Sequence, residues 1–352
     1  MQPMTRVLRG PIRVAAATLR PAVAALGATL LVTGPLAGAA LAHGEFPAEP
    51  PSAGGLIFGW SLEPAVLLPL LGAAGAWLWA VRRVDRLHPS SRVPRRRTIA
   101  FLGGLAAIAI ALLSGIERYD TTLFSIHMVQ HILLTLVAAP LLALGAPITL
   151  ALRVASPRVR RRIILPILHS RPVRVLAFPV VAWLLFAGVM WATHFSPLFD
   201  LALEDRLLHD LEHALYLGSA LLFWWPAVGL DPAPWRLGHP GRIAYVFLQM
   251  PQNTFLAVVI LNAPAPLYPH YATLVRDWGP TPLADQQIAG SIMWLFGDVL
   301  FLAAIALILV GWMRHDERET ARVERRVDRE RAAIRAREAQ LAERLAGERD
   351  EA

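Results

Sequence analysis

Seven apolar runs occupy residues 62–81, 98–116, 122–151, 173–194, 207–227, 242–262 and 284–313. Each approaches or exceeds the roughly 20 helical residues that cross a hydrocarbon core about 30 Å thick. A backbone in lipid must satisfy its own N–H and C=O groups, so repeated runs of this length specify helices. With 55% hydrophobic and 17% charged residues, the chain is too apolar for a soluble globular domain. The expected fold is all-α, a polytopic membrane bundle of seven transmembrane helices.

The connections alternate in charge. Residues 82–97 hold seven arginines against one acid, Asp85, and residues 153–174 hold seven arginines and no acid. The alternate connections are acidic, with Glu45, Glu49 and Glu63, then Glu117 and Asp120, then Asp200, Glu204 and Asp205. Basic loops stay on the cytoplasmic side, so the first helix starts outside and the last ends inside. The net charge of +8 lies in these orienting loops, which argues against nucleic-acid binding. The expected setting is a bacterial cytoplasmic membrane, with the lipid bilayer as solvent.

Both ends differ from the middle. Arg6, Arg9, Arg13 and Arg20 precede an Ala/Leu/Gly-rich stretch and then Ala40-Leu41-Ala42, the order of a signal peptide cleaved after residue 42, or of an uncleaved anchor. Three segments follow from this: 1–42, a transmembrane domain over 43–313 and a charged tail over 314–352. From Arg314 onward eleven arginines face eleven acids at helical spacing, which predicts an exposed cytoplasmic helix. Val323, Val327, Ile334, Leu341 and Leu345 form only a thin apolar stripe along it, interrupted by Glu330 and Arg337.

This topology sorts the eleven histidines. His88, His169, His239 and His315 belong to the basic side. His43, His127, His131, His194, His209, His213 and His270 lie outside or in the outer part of the bundle. His127/His131 and His209/His213 are spaced i,i+4, so each pair projects from one helix face. Met128 and Met190 stand near His131 and on the face of His194, and Glu212 adjoins His213. Ionisable groups inside a membrane are rare without function, and bundles build metal sites from such facing side chains. The alternative is that each histidine hydrogen-bonds a neighbouring helix. The absence of cysteine leaves imidazole and thioether donors, which suit copper, particularly Cu(I), with zinc also admissible.

Other intramembrane polar groups are candidates. Gln249-Met250-Pro251-Gln252-Asn253-Thr254 predicts a proline kink, repaired by side-chain amides or used as a metal path through Met250. Asp285, Gln286 and Met293 lie in the last run, where Gly290 and Gly297 favour close packing. Asp298 is a charge in hydrocarbon unless paired or protonated.

His127-Met128-Val129-Gln130-His131, Trp191-Ala192-Thr193-His194, His209 to His213 followed by Ala214-Leu215-Tyr216, and Asp285-Gln286-Gln287 through Met293-Trp294 resemble the seven-helix CtaG family over roughly residues 60 to 313. That resemblance implies an assembly factor for caa-type cytochrome c oxidase that holds or delivers copper, with oxidase subunits and other copper carriers as partners. A separate type of assembly protein sharing the CtaG name has one membrane helix and a cysteine copper motif, and this chain has neither.

Two other classes fit parts of the pattern. His209-Asp210-Leu211-Glu212-His213 matches the His-x-x-Glu-His pattern of some zinc peptidases, which admits an intramembrane hydrolase or a di-metal oxygenase. No distant carboxylate stands out as a third ligand. A haem-binding electron carrier would take one histidine from each pair.

Overall fold

The computed structural model describes residue 47 and residues 49–350, the side chains of 341–350 excepted. The signal segment, His43, Glu45 and the side chains of Leu341 and Leu345 lie outside the described residues. Among those described, every regular element is helical.

The principal helices are α1 (Pro64–Leu87), α2 (Arg95–Leu113), α3 (Phe124–Ile132), α4 (Pro179–His194), α5 (Leu198–Glu204), α6 (Arg206–Val228), α7 (Gln249–Leu261) and α8 (Pro282–Asp350). Among the described residues five stretches are long and apolar enough to cross a membrane: Pro64–Leu87, Arg95–Tyr119, Phe124–Val154, His239–Leu261 and Pro282–Gln340. The pair α4 and α5, bent by 71°, makes a sixth if counted as one span. The expectation of seven spans is thus met only in part. The remaining run coincides with α6, which has 23 residues. His209, Asp210, Glu212 and His213 in its first two turns lower its mean hydropathy.

The outer surface of the bundle is apolar. Leu68, Leu71, Ile99, Val180, Leu184, Phe255, Leu295 and Phe296 are all exposed. Large exposed apolar side chains on this many membrane-length helices fit a lipid-facing surface. Inside, Trp77 stacks on Phe101 with ring centres 3.9 Å apart, among Ala80, Val84, Ala111 and Leu134. The absence of a side chain at Gly145 permits this, since a Cβ there would lie 2.9 Å from Phe101 Cβ.

Connections contact one another at each end of the bundle. At one end Arg153 donates to Ser91, and Trp235 Nε1 donates to the Arg174 carbonyl at 2.8 Å. At the other, Arg206 pairs with Glu63, and the backbone N–H of His270 donates to Asp200 at 3.1 Å. Glu63 and the arginine-rich connection 82–97 thus lie at opposite ends of α1.

The third span is not a uniform helix. Leu133–Ala138 is a π-helical segment directly after His131. Pro140, which lacks an N–H, sits just beyond it and cannot continue an α ladder. The hydroxyl of Thr135 donates to the His131 carbonyl at 2.6 Å, and Trp224 Nε1 donates to the Thr135 carbonyl at 2.9 Å. These bonds fix the backbone immediately behind His131.

The chain divides into one compact unit ending at Leu302 and another beginning at Ala303. From Arg314 to Gln340 the second unit is helical and exposed apart from Ala321, with Arg326 paired to Glu330 at 2.9 Å (i,i+4) and Arg322 to Glu319 at 3.3 Å (i,i+3). The predicted exposed helix is present.

Candidate metal centre

Helix α3 begins at the acidic end of the bundle. Its first N–H groups lack intrahelical partners, and Asp285 of α8 supplies them. The Asp285 carboxylate accepts from Phe124 N at 2.7 Å, Ser125 N at 3.5 Å and Ser125 Oγ at 2.5 Å. An acid from a distant helix thus caps the helix that carries His127 and His131. Asp205 caps α6 locally, accepting from Leu208 N at 2.9 Å. Both capped starts present their i,i+4 histidines toward the same interior space.

The four imidazoles form one buried cluster. Ring centres are 4.2 Å apart for His127 and His131, 4.3 Å for His209 and His213, and 5.4 Å for His127 and His209. His131 lies 6.0 Å from His213 and 6.3 Å from His194. Two carboxylates complete the cluster. Glu212 Oε2 is 3.9 Å from His127 Nε2, and Asp120 Oδ2 is 3.7 Å from His209 Nε2. Among the described residues two triads have the spacing of ion ligands: His127, His131 and Glu212; and Asp120, His209 and His213. The ligand atoms within each triad lie within 4.8 Å of one another.

The hydrogen bonding is incomplete where ligand atoms meet. Both nitrogens of His127 and of His131, Nε2 of His194, both carboxylate oxygens of Glu212 and Oδ2 of Asp120 are buried without a hydrogen-bond partner. Each such atom costs about 1–3 kcal/mol of desolvation if left alone. Eight of them in one cluster are what a core would remove unless something binds there.

Second partners orient two of the rings. Gln130 Nε2 donates to Glu117 Oε2 at 2.6 Å and to the Ala111 carbonyl at 3.1 Å, which leaves Gln130 Oε1 as the acceptor 3.0 Å from His213 Nε2. His213 therefore carries its proton on Nε2 and keeps the Nδ1 lone pair. His194 Nδ1 lies 2.8 Å from the Met190 carbonyl, which can only accept, so its Nε2 keeps the lone pair. Tyr216 stacks on His131 at 4.0 Å, and its hydroxyl meets Thr193 at 2.5 Å and His194 Nδ1 at 3.1 Å.

Aromatic rings close the cluster toward the acidic end. Phe199 lies 4.9 Å from His127, 5.4 Å from His194 and 4.4 Å from Tyr268, and Phe124 lies 4.7 Å from Tyr268. Burial pushes the Asp120 carboxyl up to about 8, outweighing the hydrogen bond from the Thr121 N–H. Burial likewise raises the Tyr271 hydroxyl, with Asp120 and Asp285 adding to the effect. Tyr271 donates to the Asp120 carbonyl at 2.7 Å.

The structure brings together His127, His131, His194, His209, His213 and Glu212. Met128, Met190 and Met293 line a small cavity beside His131 and His194. Asn253 lines it too, and donates to the Met293 carbonyl at 3.3 Å. The other candidates stand apart. Met250 lies against Phe247, Pro251 and Phe255, in a pocket that contains none of the histidines. Asp285 is the α3 cap. Gln286 ties a loop to two helices, accepting from Leu267 N at 2.7 Å and donating to the Ile260 carbonyl at 3.1 Å. Asp298 accepts from Thr254 Oγ1 at 2.9 Å, the pairing its depth required. His270 bonds the Thr121 carbonyl at 2.8 Å and serves the adjacent loop.

Asp120, Glu117, Gln130 and Tyr216 were not singled out as site residues by sequence. Asp120 in particular stands where a third, carboxylate ligand beside His209 and His213 would lie.

The sequence profile of the cytochrome c oxidase caa3 assembly factor family (Caa3_CtaG) matches residues 75–315, and the chain belongs to that family. The uncharacterized protein Mb0105 of Mycobacterium bovis is 31% identical over 290 residues, 80% of this chain and 43% of the relative. The uncharacterized protein ML1998 of Mycobacterium leprae is 30% identical over 255 residues, 70% of this chain and 38% of the relative. The chain thus spans less than half the length of these relatives. No solved structure matches it.

Proposed function

Taking membership of the Caa3_CtaG family as the premise, we propose that this protein helps mature a haem-copper cytochrome c oxidase by holding copper at the outer face of the cytoplasmic membrane and passing it to an oxidase subunit or another copper carrier. The observation that carries this reading is the set of eight buried, unbonded ligand atoms on His127, His131, His194, Glu212 and Asp120. His127, His131, His209 and His213 would hold the ion. Gln130 and Tyr216 hold rings in place, and the Phe199 and Phe124 rings exclude water. The arginine-rich connections 82–97 and 153–174 support an outer position for the cluster, by the orientation rule for short basic loops.

The physiological test is a deletion strain assayed for copper-containing and haem-only terminal oxidases. Copper-oxidase activity should fall with its transcript unchanged, and haem-only oxidases should be spared. Normal activity and copper content across low and high copper supply would remove the assembly role.

One observation favours a second reading. Asp120 beside His209 and His213 gives two histidines and a carboxylate, the ligand set of zinc hydrolases, and Glu212 stands adjacent where an activating base belongs. Stoichiometric zinc with metal-dependent turnover in the purified protein would favour the enzyme, and a Soret band would favour haem.

A further inference from the structure

A cavity with room for about one water-sized occupant opens beside the imidazole cluster, lined by Met128, Met190, Met293, His131, His194 and Tyr216 among others. Three of the chain's seven methionines meet there, from α3, α4 and α8. All three are buried, and so is His194. Methionine is a common filler of irregular gaps, and three around one void could be no more than that. His194 argues otherwise. Its Nδ1 proton is committed to the Met190 carbonyl at 2.8 Å, and Nε2 is buried with a free lone pair and no hydrogen-bond partner. A gap filled only for packing would not be bordered by an oriented, unbonded imidazole nitrogen.

The donors differ in kind from those of the two triads. The triads offer imidazole and carboxylate, which suit zinc and copper. Thioether sulfur is soft and selects Cu(I). We propose that Met128, Met190 and Met293, with His194 Nε2, form a separate subsite for one Cu(I), and that His131 stands between it and the nitrogen-oxygen cluster as the wall across which the ion moves. This rests on the reading that the protein handles copper, and adds a second position with softer donors. No redox step is needed, because Cu(I) enters and leaves unchanged.

The test uses the full chain grown with selenomethionine, loaded with Cu(I) under anaerobic reducing conditions and measured by X-ray absorption at the copper edge. The subsite predicts selenium in the copper shell. A chain with Met128→Leu, Met190→Leu and Met293→Leu, nearly isosteric replacements, should lose that selenium scattering and one Cu(I) per chain while keeping its zinc capacity. Met250 and Met313, retained in that variant, control for adventitious thioether binding. In the triple variant His127→Ala/His209→Ala/His213→Ala, one selenium-coordinated Cu(I) should remain. Copper bound through nitrogen and oxygen alone in the wild type would overturn the subsite and leave the copper reading standing. No Cu(I) uptake at all would overturn both. Should the leucine variant fail to accumulate, the wild-type selenium shell decides the question alone.

Discussion

At the residue scale the site depends on which atoms are left without partners. Gln130 turns its oxygen to His213 because its amide nitrogen is taken by Glu117 and the Ala111 carbonyl. Gln130→Leu should leave the fold intact but release the His213 ring. Loss of a partner of this kind typically weakens metal binding by about 10–100-fold. Competition titration against a chelator of known affinity measures it, and an unchanged affinity would exclude the orienting role. The histidine pairs were legible in the sequence because i,i+4 spacing is a local property. Asp120 was legible only as a marker of sidedness, because its approach to His209 depends on how the loop after Tyr119 packs on α6. Gln130 sat in plain view inside the His127–His131 motif, yet its role depends on Glu117 and Ala111 of the preceding helix. Met128 and Met190 were read from helix faces, and Met293 from its own run, but that the three share one cavity follows from helix packing alone.

At the element scale α8 supports the site from a distance. Asp285 caps α3 across the bundle, so Asp285→Ala should cost about 1–2 kcal/mol, the ordinary value of a helix cap. The expected result is a lower thermal midpoint together with weaker metal binding, whereas Asp298→Asn should leave binding unchanged. Gly290 packs so closely that a Cβ would lie 2.9 Å from Leu261 N. Gly290→Val should therefore push α8 from α7 at a cost of about 1–3 kcal/mol, read as reduced accumulation in the membrane. The expectation that these small residues allow close packing is met at Gly290. The helices themselves were legible from hydropathy, except where function interrupts it. Run 207–227 became a helix whose first turns are too polar for a simple span, and run 173–194 became a shorter helix that bends into α5. The π segment after His131 left no periodic signal, because a single wide turn shifts the pattern by only one residue.

At the scale of the whole molecule the arginine-rich connections predict the orientation. A chain without cysteine accepts single reporters cleanly. Ser196→Cys should react with a membrane-impermeant thiol reagent in intact cells, and Ser91→Cys should not. The reverse pattern would move the cluster to the cytoplasmic side. The most direct measurement of the central claim is the metal content of the purified full-length protein, compared with His127→Ala/His131→Ala and His209→Ala/His213→Ala, after each has been shown to reach the membrane at the wild-type level. The account predicts stoichiometric copper in the wild type and loss of cluster-bound copper in either pair variant, with His88→Ala/His239→Ala unaffected. Pair variants that insert, fold and retain the wild-type copper ratio would show the histidine cluster to be structural.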